Sequence, residues 1–116
     1  MDWLTLDSEE QLNQIKANSS KPSVIFKHST RCSISATALS RLERSWNKQE
    51  VEGIDFYFLD LLNHRPVSSK IEELFGVTHQ SPQVLIIQDG TCTYNASHLG
   101  ISYNEIKNQA LKKAGA

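Results

Sequence analysis

The sequence has no Cys-x-x-Cys pair, no Gly-rich loop, no excess of either charge and no long apolar run. Each absence removes a class of function. Without paired cysteines, and with His28, His64, His79 and His98 at no ligand spacing from Cys32 or Cys92, a zinc site has no frame, so no metal is expected. The five glycines are scattered and build no phosphate cradle. A phosphate-binding cysteine loop would want arginine six places after its cysteine, where Ala38 stands. With 12 Lys and Arg against 13 Asp and Glu, the net charge is −1 and no polybasic stripe is present, so nucleic acid is not an expected partner. The longest apolar stretches, Val84 to Ile87 and Phe56 to Leu59, fall far below the ~18 residues of a membrane span. Met1-Asp2-Trp3 has no basic or apolar leader. No membrane association and a cytoplasmic location are expected.

What is present is enough for one domain. A chain of 116 residues, 39 % of them hydrophobic, buries roughly two-thirds of its unfolded surface, so it needs neither disulfide nor metal to fold. No repeat or linker-like run divides it, and residues 1–116 read as a single unit. In a reducing compartment at least one of the two cysteines is then a free thiol.

The periodicities alternate. Trp3 to Leu6 reads as a short strand; Asp7 or Ser8 caps a helix carrying Leu12 and Ile15. After a polar pause over Asn18 to Pro22, Ser23 to Lys27 has the composition of a buried strand. From about Cys32 apolar residues recur every four positions, at Ile34, Ala38, Leu42 and Trp46, predicting an amphipathic helix that Gly53 ends. Ile54 to Asp60 is a second strong strand, and Pro66 opens a helix over Val67, Ile71, Leu74 and Phe75 with Gly76 as its cap. Val84 to Ile87 and Cys92 to Ala96 flank Asp89-Gly90, a hairpin signal. Ser102 caps a last helix bearing Tyr103, Ile106, Ala110 and Ala114. The order β-α-β-α-β-α-β-β-α predicts an α/β protein with a mixed sheet of four to five strands and helices on both faces.

Pro22 opening a strand, a cysteine at the next helix start, Phe75-Gly76-Val77, and Pro82 just before an apolar strand together resemble the thioredoxin-like fold. That resemblance implies a cis Pro82 facing the cysteine. The strings Lys27-His28-Ser29-Thr30-Arg31-Cys32-Ser33-Ile34-Ser35, Asn63-His64-Arg65-Pro66-Val67-Ser68 and Gly76-Val77-Thr78-His79-Gln80-Ser81-Pro82-Gln83-Val84 more closely resemble the monothiol bacilliredoxins of the bacillithiol redox system. The likeness runs from about Trp3 to the final helix, with one departure: relatives often carry proline where Ser33 stands. It implies that Cys32 is the redox cysteine and that Ser81-Pro82 faces the substrate. It also implies no cofactor beyond a low-molecular-weight thiol, bacillithiol or similar, as co-substrate. The implied partners are S-thiolated client proteins and a resetting thiol or reductase.

The residues fit that chemistry. A thiolate attacks disulfides and a thiol does not, and the unpaired N–H groups and positive end of a helix favour S⁻. Arg31, with Lys27 and His28, is expected to add positive charge. Ser35, where dithiol thioredoxins keep a second cysteine, lies on the same helix face and is expected to donate a hydrogen bond to the Cys32 sulfur, yet it cannot close a disulfide. The cycle is therefore expected to be intermolecular. Cys92, opposite Ile87, is five positions from Pro82, about 16 Å along the strand, beyond the ~7 Å that a disulfide spans between Cα atoms. Ser81 and Pro82 face the substrate and His79 and Gln80 border that loop; Lys27, His28 and Arg31 are expected to meet the substrate's carboxylates, while Arg65 reads as surface charge. A thioredoxin-fold adaptor or redox sensor without turnover is the competing reading.

Overall fold

The computed structural model describes residues 1–18 and 20–112. Five strands, β1 (Leu4–Thr5), β2 (Ser23–His28), β3 (Asp55–Asp60), β4 (Gln83–Gln88) and β5 (Thr91–Ser97), form one sheet in the order β1-β3-β2-β4-β5. β1, β3 and β2 are parallel, whereas β4 runs antiparallel to β2 and β5 antiparallel to β4. Helices α1 (Glu9–Ala17) and α3 (Arg65–Phe75) cover one face, α2 (Ser33–Ser45) and α4 (Tyr103–Leu111) the other. The expected α/β architecture is the one found, with five strands.

β2 and β4 are buried along their whole length, which is why their centres, Val24 to Phe26 and Val84 to Ile87, read as apolar runs instead of alternating ones. Their side chains divide between two cores. Ile25, Leu85 and Ile87 meet Leu12, Ile15, Val67 and Ile71 under α1 and α3. Val24, Phe26, Val84 and Ile86 meet Ala38, Leu42, Ile106 and Ala110 under α2 and α4.

Three boundaries depart from the sequence pattern. β1 is shorter than Trp3 to Leu6, although the Leu6 N–H still donates to the Phe58 carbonyl at 2.9 Å. α2 stops at Ser45, well before Gly53, because Asn47 accepts the Gln49 N–H at 3.0 Å and starts a separate 3₁₀ turn over Lys48–Val51. Ile34 is 40 % exposed, off the buried face. A step of four residues advances about 40° beyond a full turn, so a strict four-residue repeat winds off one side of a 3.6-residue helix. Ala114 lies outside the described residues.

The Asp89-Gly90 hairpin forms with φ of 51° and 75°, the two left-handed residues of a type I′ turn. A Cβ at Gly90 would lie 2.7 Å from the Lys16 carbonyl oxygen, with φ already unfavourable for any other residue. Gly90→Ala is expected to lower stability by about 1–3 kcal/mol, read as a reduced urea midpoint. An unchanged midpoint would show that the turn relaxes freely.

Candidate functional site

The register carries the site. Pairing Lys27 with Gln83 brings the segment after β2 and the segment before β4 out of the sheet side by side, and α3 starts at the same end, after β3. Cys32, the His79–Pro82 loop and Arg65 therefore share one end of the molecule. Cys92 does not. It pairs with Ile87 near the hairpin and shares that residue's face, toward the core under α1 and α3. There its Sγ donates to the Tyr94 carbonyl at 3.3 Å and burial pushes its thiol pKa up. Both cysteines are free.

Cys32 is half-buried and is the N-cap of α2, one position earlier than the first turn, with φ −108° and ψ 119°. Its N–H donates to the Ser29 carbonyl at 3.2 Å and its carbonyl accepts the Ala36 N–H at 3.1 Å. Its side chain makes no capping hydrogen bond, and α2 has no acidic residue in its first turn to occupy the free N–H groups. An N-cap side chain is the one best placed to meet those donors. Arg31 beside it is exposed.

Ser35 departs from expectation. It is fully buried, and its hydroxyl accepts the Ser29 N–H at 3.1 Å and hydrogen-bonds with His28 Nδ1 at 2.7 Å, not with the Cys32 sulfur. His28 departs too. Burial, against the opposing pull of Asp60, holds its pKa below the usual histidine value, so it is a neutral ring at pH 7 and adds no positive charge.

Lys27 lies on the opposite face. Alternation from Ile25 turns it under α3, where it is fully buried and its ammonium has no hydrogen-bond partner among the described residues. Burial lowers its pKa to about 8 despite the Glu72 carboxylate. Glu72 and His79, whose charges interact with Lys27, line a cavity of about 180 Å³ with Leu61, Arg65, Ser68 and Ser69. His79 Nδ1 lies 3.4 Å from Ser68 Oγ. Burial first, then the Lys27 ammonium, lowers the His79 pKa; Glu72 opposes them.

The Ser81–Pro82 peptide is cis, Pro82 is buried, and Ser81 Oγ is buried without a partner. Sequence reasoning missed what braces this loop. Gln83 donates from Nε2 to the Thr78 carbonyl at 3.1 Å, while its Oε1 accepts the Gln80 N–H at 3.3 Å. The signal was available: an amide inside a fully buried strand needs partners. Nothing in the spacing of Asp60, Ser68 or Glu72 relates them to Cys32 in the sequence.

No group of three or more His, Cys, Asp or Glu among the described residues is arranged to hold a metal ion. No helix among them is long and apolar enough to cross a membrane.

The family model described as monothiol bacilliredoxin BrxC matches residues 4–106. The chain belongs to the monothiol bacilliredoxin family. As a bacilliredoxin it is similar, at 26 % identity, to a solved structure of a proposed oxidoreductase with a thioredoxin fold, with 91 % of each chain covered and a TM-score of 0.77. The fold is also that of Malassezia sympodialis thioredoxin (15 % identity, 94 % and 90 % covered, TM-score 0.73). Trypanosoma brucei brucei thioredoxin shares it as well (18 % identity, 93 % and 87 % covered, TM-score 0.71). This bacilliredoxin is a thiol oxidoreductase with a thioredoxin-like fold.

Proposed function

We propose that the protein removes a low-molecular-weight thiol of the bacillithiol type from S-thiolated client proteins, with Cys32 as the attacking sulfur. The observation that carries this reading is a single half-buried cysteine at the N-cap of α2, with a buried serine and no second thiol three residues on. The Cys32 thiolate attacks the small-thiol sulfur of the client's mixed disulfide. The client leaves as its thiolate and Cys32 holds the small thiol in a new disulfide. A second small thiolate, or the thiolate of a partner reductase, then attacks that disulfide and restores the Cys32 thiolate.

Arg31 and Arg65, with the buried Lys27 ammonium behind the cavity under α3, supply positive potential for the carboxylates of such a thiol. His79 and Ser68, which line that cavity, supply polar contacts on the same side. Backbone groups at Ser81 are positioned to pair with an extended client segment. No cofactor enters either step.

Mass spectrometry of the protein after incubation with a bacillithiolated client is expected to show one small-thiol adduct, on Cys32, matched by loss of the adduct from the client. An adduct on Cys92 alone, or a client that keeps its adduct, would reject the reading, and the latter would favour an adaptor.

A further inference from the structure

Leu99 is the most exposed large apolar side chain among the described residues, with 73 % of its surface accessible, ahead of Leu111, Leu4 and Ile34. Scattered exposed leucines are ordinary, so exposure alone decides nothing. Leu4 lies on the edge strand β1, and Leu111 ends α4 near Asp89, at the hairpin end of the sheet. Leu99 is at the Cys32 end instead. Pairing Gln83 with both Lys27 and Ser97 brings β5 out of the sheet beside the Pro82 loop, and the 3₁₀ turn that follows, His98–Gly100, packs against α2.

That turn is held at both of its ends. The His98 N–H donates to the Pro82 carbonyl at 3.1 Å, and the Ile101 N–H donates to the His98 carbonyl at 3.4 Å, with Ile101 buried in the core under α2 and α4. His98 has φ 53°, a left-handed conformation that residues with a Cβ seldom adopt. A disfavoured backbone angle and an exposed leucine in adjacent residues both work against stability, and such departures collect where binding needs them. No Asp, Glu, Lys or Arg stands between Asp89 and Glu105, so this stretch of chain carries no fixed charge.

The sheet order sets two unlike flanks beside the cysteine. β2, which leads to Cys32, has β3 on one side and β4 then β5 on the other. β3 leads to Arg65 and the cavity it lines with Ser68, Glu72 and His79, a charged and polar surface suited to a small acidic thiol. β5 leads to Leu99, and Ile34, 40 % exposed, stands in the first turn of α2. A polypeptide differs from a small thiol in offering apolar side chains. An extended client segment paired with the Ser81 backbone passes Pro82, whose carbonyl holds the Leu99 turn, and every second side chain of that segment falls on one side.

We propose that Leu99 is a specificity-determining residue for polypeptide substrates, taking up an aliphatic or aromatic side chain next to the thiolated cysteine of a client. The inference rests on Cys32 being the sulfur that acts on such clients. It adds to that reading a preference for the sequence around the client cysteine, which neither Cys32 nor the charged cavity supplies.

The test uses two synthetic peptides, each carrying bacillithiol in a mixed disulfide on its single cysteine and differing only in the residues on either side of it, leucine in one and serine in the other. Single-turnover removal of bacillithiol gives a second-order rate constant for each peptide. Comparing the leucine-to-serine ratio between proteins cancels the intrinsic reactivity of the peptides. The ratio is expected to be roughly tenfold higher for the unaltered protein than for Leu99→Ser, the lower end of what burying one leucine side chain is worth. Leu99→Met keeps the apolar surface and is expected to keep the ratio within about twofold. A ratio unchanged in Leu99→Ser overturns the inference alone, even if both peptides react more slowly, since Leu99 would then serve only the turn. A ratio that falls as far in Leu99→Met also overturns it, because apolar surface is then not what is read. An unaltered protein that removes bacillithiol from neither peptide overturns the reading of the site, and this inference with it.

Discussion

A Cys32→Ser variant is expected to lose small-thiol removal from a mixed-disulfide client to the uncatalysed background, a loss of roughly a hundredfold or more, while Cys92→Ser keeps activity within about twofold, the scatter expected of a substitution outside the site. The asymmetry follows from where the fold places the two sulfurs. Cys32 is half-exposed among the unpaired N–H groups of α2 and can meet a disulfide on another molecule. Cys92 sits against the core under α1 and α3 with its thiol donated to the Tyr94 carbonyl, and burial disfavours its thiolate. A serine hydroxyl at position 32 does not ionise near neutral pH and cannot attack sulfur. Release of the small thiol from a labelled client measures both variants. Equal loss in the two would mean that Cys92 takes part in the cycle, and the monothiol assignment would fall.

Lys27→Met is expected to stabilise the protein at pH 7 and to slow the same reaction. The fully buried ammonium has no hydrogen-bond partner among the described residues, and its pKa falls from 10.5 to about 8. At about 1.4 kcal/mol per pKa unit, holding that charge in the fold costs about 3 kcal/mol. The cost is present in full below pH 8, where both folded and unfolded chains carry the proton. Between about 8 and 10.5 the unfolded chain holds a proton that the folded chain has released, so stability rises with pH across that window. Methionine fills similar volume without the charge, and such replacements are often neutral or stabilising. Urea midpoints should therefore favour Lys27→Met by about 3 kcal/mol at pH 7, with the advantage shrinking at pH 9. An advantage that is absent or independent of pH would mean that the ammonium already has its partner. A lysine retained at this cost is explained if it works: at the cavity under α3 it strengthens the potential that a substrate carboxylate meets. If Lys27→Met reduces clients at an unchanged rate, that role is lost.

Much of this was legible in the chain because it depends on local chemistry. The capping box at Ser8 and Gln11, the left-handed Gly76 after α3 and the Asp89-Gly90 turn are set by residues adjacent in sequence. The apolar centres of β2 (Val24 to Phe26) and β4 (Val84 to Ile87) announced strands covered on both faces. The hairpin register that put Cys92 opposite Ile87 followed from the turn alone and is the register observed. The end of α2 was less legible, because Asn47 competes for the backbone with a 3₁₀ turn that a four-residue repeat does not reveal.

By itself, then, the sequence determined the order of elements, the helix start at which Cys32 lies, the lack of a second thiol beside it, and the separation of Cys92 from the site. These follow from periodicity, turn chemistry and the fixed rise of a strand. Only the tertiary structure decided what surrounds the sulfur. Adjacent positions on a strand face opposite sides, so Lys27 and His28, neighbours in sequence, enter different environments. One is a buried ammonium under α3, and the other a neutral ring bound to Ser35 behind α2. Burial, which no spacing rule supplies, gave each its charge state and turned the Ser35 hydroxyl from the cysteine to the histidine.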